Sequence, residues 1–132
     1  MTDEQARALG ARAVACSGWR SIPGMFGRTP GNAFGCCRAE SGRLLHGDVS
    51  AWVATFGWPD LRDPCTLGGL LALVREAHGE PGAHAQAGWW NDGPGGWSVT
   101  SARSGFDIVM GPFDTEAEAL VAALEAAPYS AS

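Results

Sequence analysis

An α+β fold, a three-stranded antiparallel β-meander packed against helices, is what three features of this 132-residue chain predict. Apolar residues recur at helical spacing near the start, and again in a run that begins at Asp63 with clear start and stop signals. Three strand-like runs separated by glycine-rich turns then lead into a last helix rich in alanine and leucine. The C-terminal unit, residues 63–128, therefore reads α-β-β-β-α, and residues 1–62 supply a helix and an irregular glycine-rich segment with short strands. The length suits one domain, since a chain of this size buries enough surface to close a core without metal or disulfide.

Thr2 and Gln5 stand at capping-box spacing, and Ala6, Leu9, Ala13 and Cys16 follow at helical intervals, so a helix is expected over residues 3–15. Gly18, Pro23, Gly24, Gly27, Pro30 and Gly31 punctuate residues 18–32 too densely for regular structure. An ordered loop is expected there, burying Trp19, Ile22, Met25 and Phe26. Short strands are expected at 43–46 and 51–55, around Gly47 and Asp48. Asp63 is a good N-cap and Pro64 suits the first helical position; Leu67, Leu70, Leu71, Val74 and His78 carry the helix to a stop at Gly79 and Pro81. Residues 83–90, 97–103 and 106–110 read as the strands of the meander, joined by residues 91–96 and by Ser104-Gly105. Asp114 or Thr115 caps the last helix, with Glu118 at capping-box distance from Thr115 and with Ala117, Leu120, Val121 and Leu124 on one face. That helix ends near Pro128, before a short tail.

Charge is unevenly placed. The chain has 14 acidic and 9 basic residues, net −5, and no lysine. Up to Arg62 there are seven arginines and five acids, net +2; beyond it two arginines and nine acids, net −7. Arg12, Arg20, Arg28, Arg38 and Arg43 meet only Glu40 in their own window and could form a modest positive face, whereas the C-terminal half should repel phosphate backbones. No apolar run is long enough to span a membrane, and the opening MTDEQ is unlike a secretion signal, so a cytoplasmic protein with reduced cysteines at 16, 36, 37 and 65 is expected.

The order helix, three strands, helix is also that of a double-stranded-RNA-binding domain. Such domains hold phosphate with lysines at the start of the last helix, and here Asp114, Glu116 and Glu118 stand there, so duplex RNA is not an expected partner. A resemblance of another kind runs through Gly18-Trp19-Arg20, Ile22-Pro23-Gly24-Met25, Pro59-Asp60-Leu61, Asp63-Pro64, Thr66-Leu67-Gly68, residues 70–77 (LLALVREA) and residues 115–128 (TEAEALVAALEAAP). Together these blocks resemble a family of small phage and prophage proteins from GC-rich bacteria, to which no biochemical role is generally assigned. The family turn has bulky residues at positions 21 and 22, where this chain has Ser21 and Ile22. The resemblance implies an origin in mobile DNA, not a reaction. Residues 108–113 with the helix after them are similar to the second half of peptidoglycan-binding SPOR domains, whose first half has no counterpart here.

Cys37 and Arg43 have the C-x5-R spacing of cysteine phosphatases, in which backbone amides and the arginine hold phosphate around a thiolate. Glu40 would place a charge beside that dianion, and Leu44-Leu45-His46-Gly47 is a poor helix start for it. His46, His78 and His84 do not stand at metal-ligand spacing; a zinc set of Cys36, Cys37, His46 and Asp48 lacks a supporting motif, so no metal or cofactor is expected. His78 closes a helix, where a cation suits the negative end of the helix dipole. The P-loop is excluded because it needs a lysine.

Six tryptophans stand out. Trp19, Trp52 and Trp58 are expected in the core. Trp89 and Trp90 are adjacent on a strand, so one ring must leave the core face; Trp90 is then placed to meet Trp97 across the hairpin or to serve as a contact surface. The reading these residues favour is a non-enzymatic, acidic phage accessory protein that binds a protein partner through Trp90, Trp97, Asp92, Glu116 and Glu118. A host nucleic-acid-handling machine with a basic groove would fit that surface, without direct contact to nucleic acid or membrane. Two alternatives stay open: a phosphatase using Cys37 and Arg43, and a structural protein that assembles with itself through the meander.

Overall fold

The structure, a computed structural model, describes residues 1–20, 22, 25–29, 32–35, 37–38, 44–45, 58–90, 93–101 and 107–127. Its elements are α1 (Asp3–Ala15), β1 (Phe26–Thr29), β2 (Asn32–Gly35), β3 (Cys37–Arg38), β4 (Leu44–Leu45), β5 (Trp58–Pro59), α2 (Pro64–His78), β6 (His84–Trp90), β7 (Gly93–Thr100), β8 (Asp107–Phe113) and α3 (Glu116–Glu125). The fold is α+β. Two compact units, Met1–Gly69 and Leu70–Ser132, divide the chain inside α2.

In the first unit, α1 starts with a complete capping box: the Gln5 amide donates to Thr2 Oγ1 (3.1 Å) and the Thr2 amide to Gln5 Oε1 (2.9 Å). Asp3 and Glu4 occupy its first turn, where the helix dipole favours acids. Its buried face is Ala6, Leu9, Gly10 and Ala13, and Gly10 lets the helix lie against β5: a Cβ there would stand 2.6 Å from the Pro59 carbonyl oxygen. The sheet order is β2-β1-β5, all antiparallel, with Gly27 opposite Pro59 and Arg28 opposite Trp58.

The expected irregular loop over residues 18–32 is therefore corrected, because β1 lies inside it. Remote partners hold that strand. The Phe26 amide donates to Thr66 Oγ1 (2.7 Å), and the Phe26 carbonyl accepts from the Asp60 amide (2.9 Å). Burial follows only in part: Met25 is fully buried, Ile22 and Trp19 are half-buried, and Phe26 is 42% exposed. Of the other strand expectations, Leu44–Leu45 pairs with Cys37–Arg38, while residues 51–55 lie outside the described residues.

Helix α2 begins as the sequence indicates, with the Thr66 amide bonded to Asp63 Oδ2 (2.9 Å). It ends at Gly79, which adopts φ +63°. There the Gly79 amide bonds the Glu76 carbonyl (3.2 Å) and the Glu80 amide the Arg75 carbonyl (2.9 Å), the paired bonds of a Schellman stop. The three glycines facing different surroundings permit a direct test. Gly68→Ala, with nothing within 4 Å of the new Cβ, should stabilise the fold by about 0.5–1 kcal/mol through helix propensity. Gly10→Ala, although also inside a helix, should destabilise it by about 1–3 kcal/mol, because the obstacle is backbone. At Gly69 the near atom is Met25 Cε, the mobile end of a side chain, so alanine should fall between the two. Urea denaturation of the three variants gives the ranking.

The second unit is the meander β6-β7-β8 with α3 packed across all three strands. Thr115 caps α3, its Oγ1 accepting from the Glu118 amide (3.1 Å), and Ala117, Ala119, Leu120, Val121, Ala123 and Leu124 are buried along it. Ala85 opposite Val99 shares one sheet face, and the pairs His84/Thr100 and Gln86/Ser98 lie on the other. Val99 is fully buried on the first and Ser98 is buried on the second. The strand bounds shift from expectation. Strand β7 begins at Gly93, within the run read as a turn, because Gly96 must approach β8: a Cβ there would stand 2.2 Å from the Phe113 carbonyl oxygen. Strand β8 runs on to Phe113.

Candidate functional site

The densest described polar cluster is built around Asp60, which follows β5. Its carboxylate is 5% exposed. Asp60 Oδ1 accepts from the Arg62 amide (3.1 Å) and Arg62 Nε (2.9 Å); Oδ2 accepts from Arg62 Nη2 (3.3 Å) and from Arg28 Nε. Four donors fill the lone pairs of one carboxylate, so Asp60 has no capacity left as a base or a metal ligand. Burial pushes its pKa up, but the hydrogen bonds from Arg62 and Arg28 outweigh that and hold it below the usual carboxylate range. Arg62 reaches further, donating from Nη1 to Asp3 Oδ1 (2.6 Å) and lying 5.7 Å over the Trp58 ring. Its hydrogen bonds to Asp60 and Asp3 raise its already high pKa. The cluster thus ties the first turn of α1, the strand β1 and the start of the α2 connection within one unit.

Charge and burial together explain why these residues converge. Arg28, counted in sequence among cations facing only Glu40, finds its acid outside that window, in Asp60. Trp58, expected in the core, is half-buried, with the Arg62 guanidinium over its ring. Trp19 is half-buried too, and its Nε1 is enclosed without an acceptor among the described residues. Thr66 is fully buried and satisfied, accepting from Phe26 and donating to Asp63 Oδ2 (3.0 Å).

The sequence-selected residues are distributed differently. Trp97 is half-buried and stands opposite Ala87 on β6 and Phe113 on β8. Trp90 stands opposite Gly93, so the backbone register does not set Trp90 and Trp97 directly opposite each other. Glu116 and Glu118 are half-exposed in the first turn of α3, next to exposed Asp114; Asp92 lies outside the described residues. Cys37 sits on β3 opposite Leu45, and the chain beyond Arg43 enters strand β4, where the phosphatase reading needs a helix start. Arg43 itself, with Cys36, His46, Asp48 and Trp52, lies outside the described residues.

Compared with known protein families, curated proteins and solved structures, the chain matches none. Its chemistry is therefore read from its own residues. Among the described residues no group of three or more His, Cys, Asp or Glu side chains is arranged to hold a metal ion, and no helix is long and apolar enough to cross a membrane. His78 Nε2 donates to the Ala123 carbonyl (2.7 Å), so it caps the end of α3 as well as closing α2. Arg75 Nε donates to the Ala83 carbonyl (2.7 Å), and Ser101 Oγ to Glu80 Oε2 (2.7 Å). Sequence reasoning missed the Asp60 cluster because its members are scattered from residue 3 to residue 62 and match no motif. The available signal was the placement of an acid between a tryptophan and an arginine in a half otherwise rich in arginine.

Proposed function

We propose that the chain is a non-enzymatic interaction module of the phage or prophage accessory type, acting in the cytoplasm through its acidic C-terminal unit. The observation that carries this is the charge of Leu70–Ser132, two arginines against eight acidic residues, net −6. Of the arginines, Arg75 is engaged with the Ala83 carbonyl. Asp114, Glu116 and Glu118 gather at the start of α3, where the helix dipole favours acids. Such a surface fits a basic groove on a protein partner, of the kind found in nucleic-acid-handling machines. Half-exposed Trp97 beside Phe113 supplies an aromatic contact in the same unit.

Capture from a host lysate tests the reading. At about 50 mM salt the wild-type chain should retain a partner, which a rise to about 500 mM should release as screening shortens the reach of the charges. Glu116→Arg with Glu118→Arg should lose it at both. Capture indifferent to salt and to charge reversal would sink the proposal.

A further inference from the structure

Each half of helix α2 is fastened within a different unit. The first half belongs to Met1–Gly69. There the fully buried Thr66 accepts from the Phe26 amide (2.7 Å), Asp63 Oδ2 accepts from the Thr66 amide (2.9 Å), and Gly69 makes room for the fully buried Met25, whose Cε would stand 2.5 Å from a Cβ. The second half belongs to Leu70–Ser132. In it Arg75 Nε donates to the Ala83 carbonyl (2.7 Å), His78 Nε2 donates to the Ala123 carbonyl (2.7 Å), and Leu70, Leu73 and Val74 are buried. The halves meet after Gly68-Gly69, and packing asks for only one of these glycines. Gly68 is exposed, and a Cβ there would meet nothing within 4 Å among the described residues. Alanine would fit at that position and hold the helix better, because glycine leaves the backbone more freedom to lose. Small-residue pairs of this kind are also among the few causes of a bend inside a helix.

We infer that Gly68-Gly69 is a flexing joint, at which the helical bonds from the amides of residues 70–73 to the carbonyls of residues 66–69 open and close while the fastenings of both halves hold. Those are the bonds of α2 that cross the step where the units part. Opening them leaves Thr66, Gly69, Arg75 and His78 with their own partners, so it exposes little surface and costs less than unfolding either unit. A weak point in the middle of a 15-residue helix, at the boundary between two separately packed bodies, is what a hinge requires. The joint lets each unit keep its own packing while α2 bends, and it does not depend on the partner reading.

Amide hydrogen exchange on the full chain, read residue by residue by NMR, tests it. After correction for intrinsic rates, the amides of residues 70–73 should exchange at least about ten-fold faster than those of residues 74–76, whose bonds lie within the second half. Low concentrations of urea should leave the rate at 70–73 nearly unchanged, because a local opening exposes little surface, whereas amides that exchange through unfolding should speed up. Gly68→Ala, for which there is room, should slow exchange at 70–73 about two- to five-fold, the equivalent of its gain in helix propensity. Exchange at 70–73 as slow and as sensitive to urea as at 74–76 would overturn the inference, since α2 would then open only when its unit unfolds. So would fast exchange that Gly68→Ala leaves unchanged, which would place the weakness away from the glycine pair.

Discussion

Asp60→Asn is expected to destabilise the N-terminal unit by about 2–3 kcal/mol at neutral pH. Removing one member of a buried ion cluster is costly because the others lose their counter-charge. Here the cost stops short of the upper range because the Arg28 and Arg62 side chains are 47% and 30% exposed, and water takes over part of their solvation. Asparagine keeps one acceptor for the Arg62 amide but cannot satisfy two guanidinium groups. The loss should also carry a signature in pH. The folded-state pKa of Asp60 lies below its ordinary value of 3.8, so its stabilising effect is complete above that value and disappears as pH falls through the lowered one. The gap between wild type and Asp60→Asn should therefore hold steady from neutral pH to about 5 and shrink below about 4. Urea titrations followed by tryptophan fluorescence at several pH values measure both. A gap unchanged at the acid end would mean that Asp60 acts through shape and not through charge.

Leu120→Ala should have an effect at least as large in the C-terminal unit, about 3–4 kcal/mol. Leu120 is 0% exposed, on a helix whose other buried positions include Ala117, Ala119 and Ala123. Small neighbours have no side-chain length with which to fill the space a leucine leaves, so the cavity persists and the cost lies in the upper part of the leucine-to-alanine range. Ala122→Ser, on the half-exposed side of the same helix, should change stability by less than about 0.5 kcal/mol. Chemical denaturation of the two variants, with amide exchange across β6 to β8, would show the difference. A loss under about 1 kcal/mol for Leu120→Ala would mean that α3 does not seal the sheet.

The helices were legible in the sequence because their signals are local. Thr2 with Gln5, Asp63 with Pro64, Gly79, and Thr115 with Glu118 act within one turn, and the structure places each at the terminus expected of it. The meander was legible as three strands, though not in its register. Gly93 and Gly96 have the composition of a turn, and only the approach of β8, with Phe113 against Gly96, makes them part of a strand. The same holds for β1. Phe26 and Gly27 read as loop residues until Thr66 and Asp60, more than thirty positions away, supply the hydrogen bonds that extend them.

Of the candidate surfaces, composition already showed the acidic one, since net charge is a sum over residues and needs no coordinates. The exposure of Phe26 and the pairing of Arg28 with Asp60 were invisible, because Phe26 looked like a core residue and Arg28 like one cation among several. Capping, helical periodicity and the division of charge are properties of neighbours along the chain, and these the amino-acid order determined by itself. Which carboxylate gathers Asp3's, Arg28's and Arg62's elements together, which aromatic is left facing water, and which glycine touches another backbone depend on segments remote in sequence. Those were decided only when folding brought the segments within a few ångströms, the range over which hydrogen bonds and van der Waals contact act.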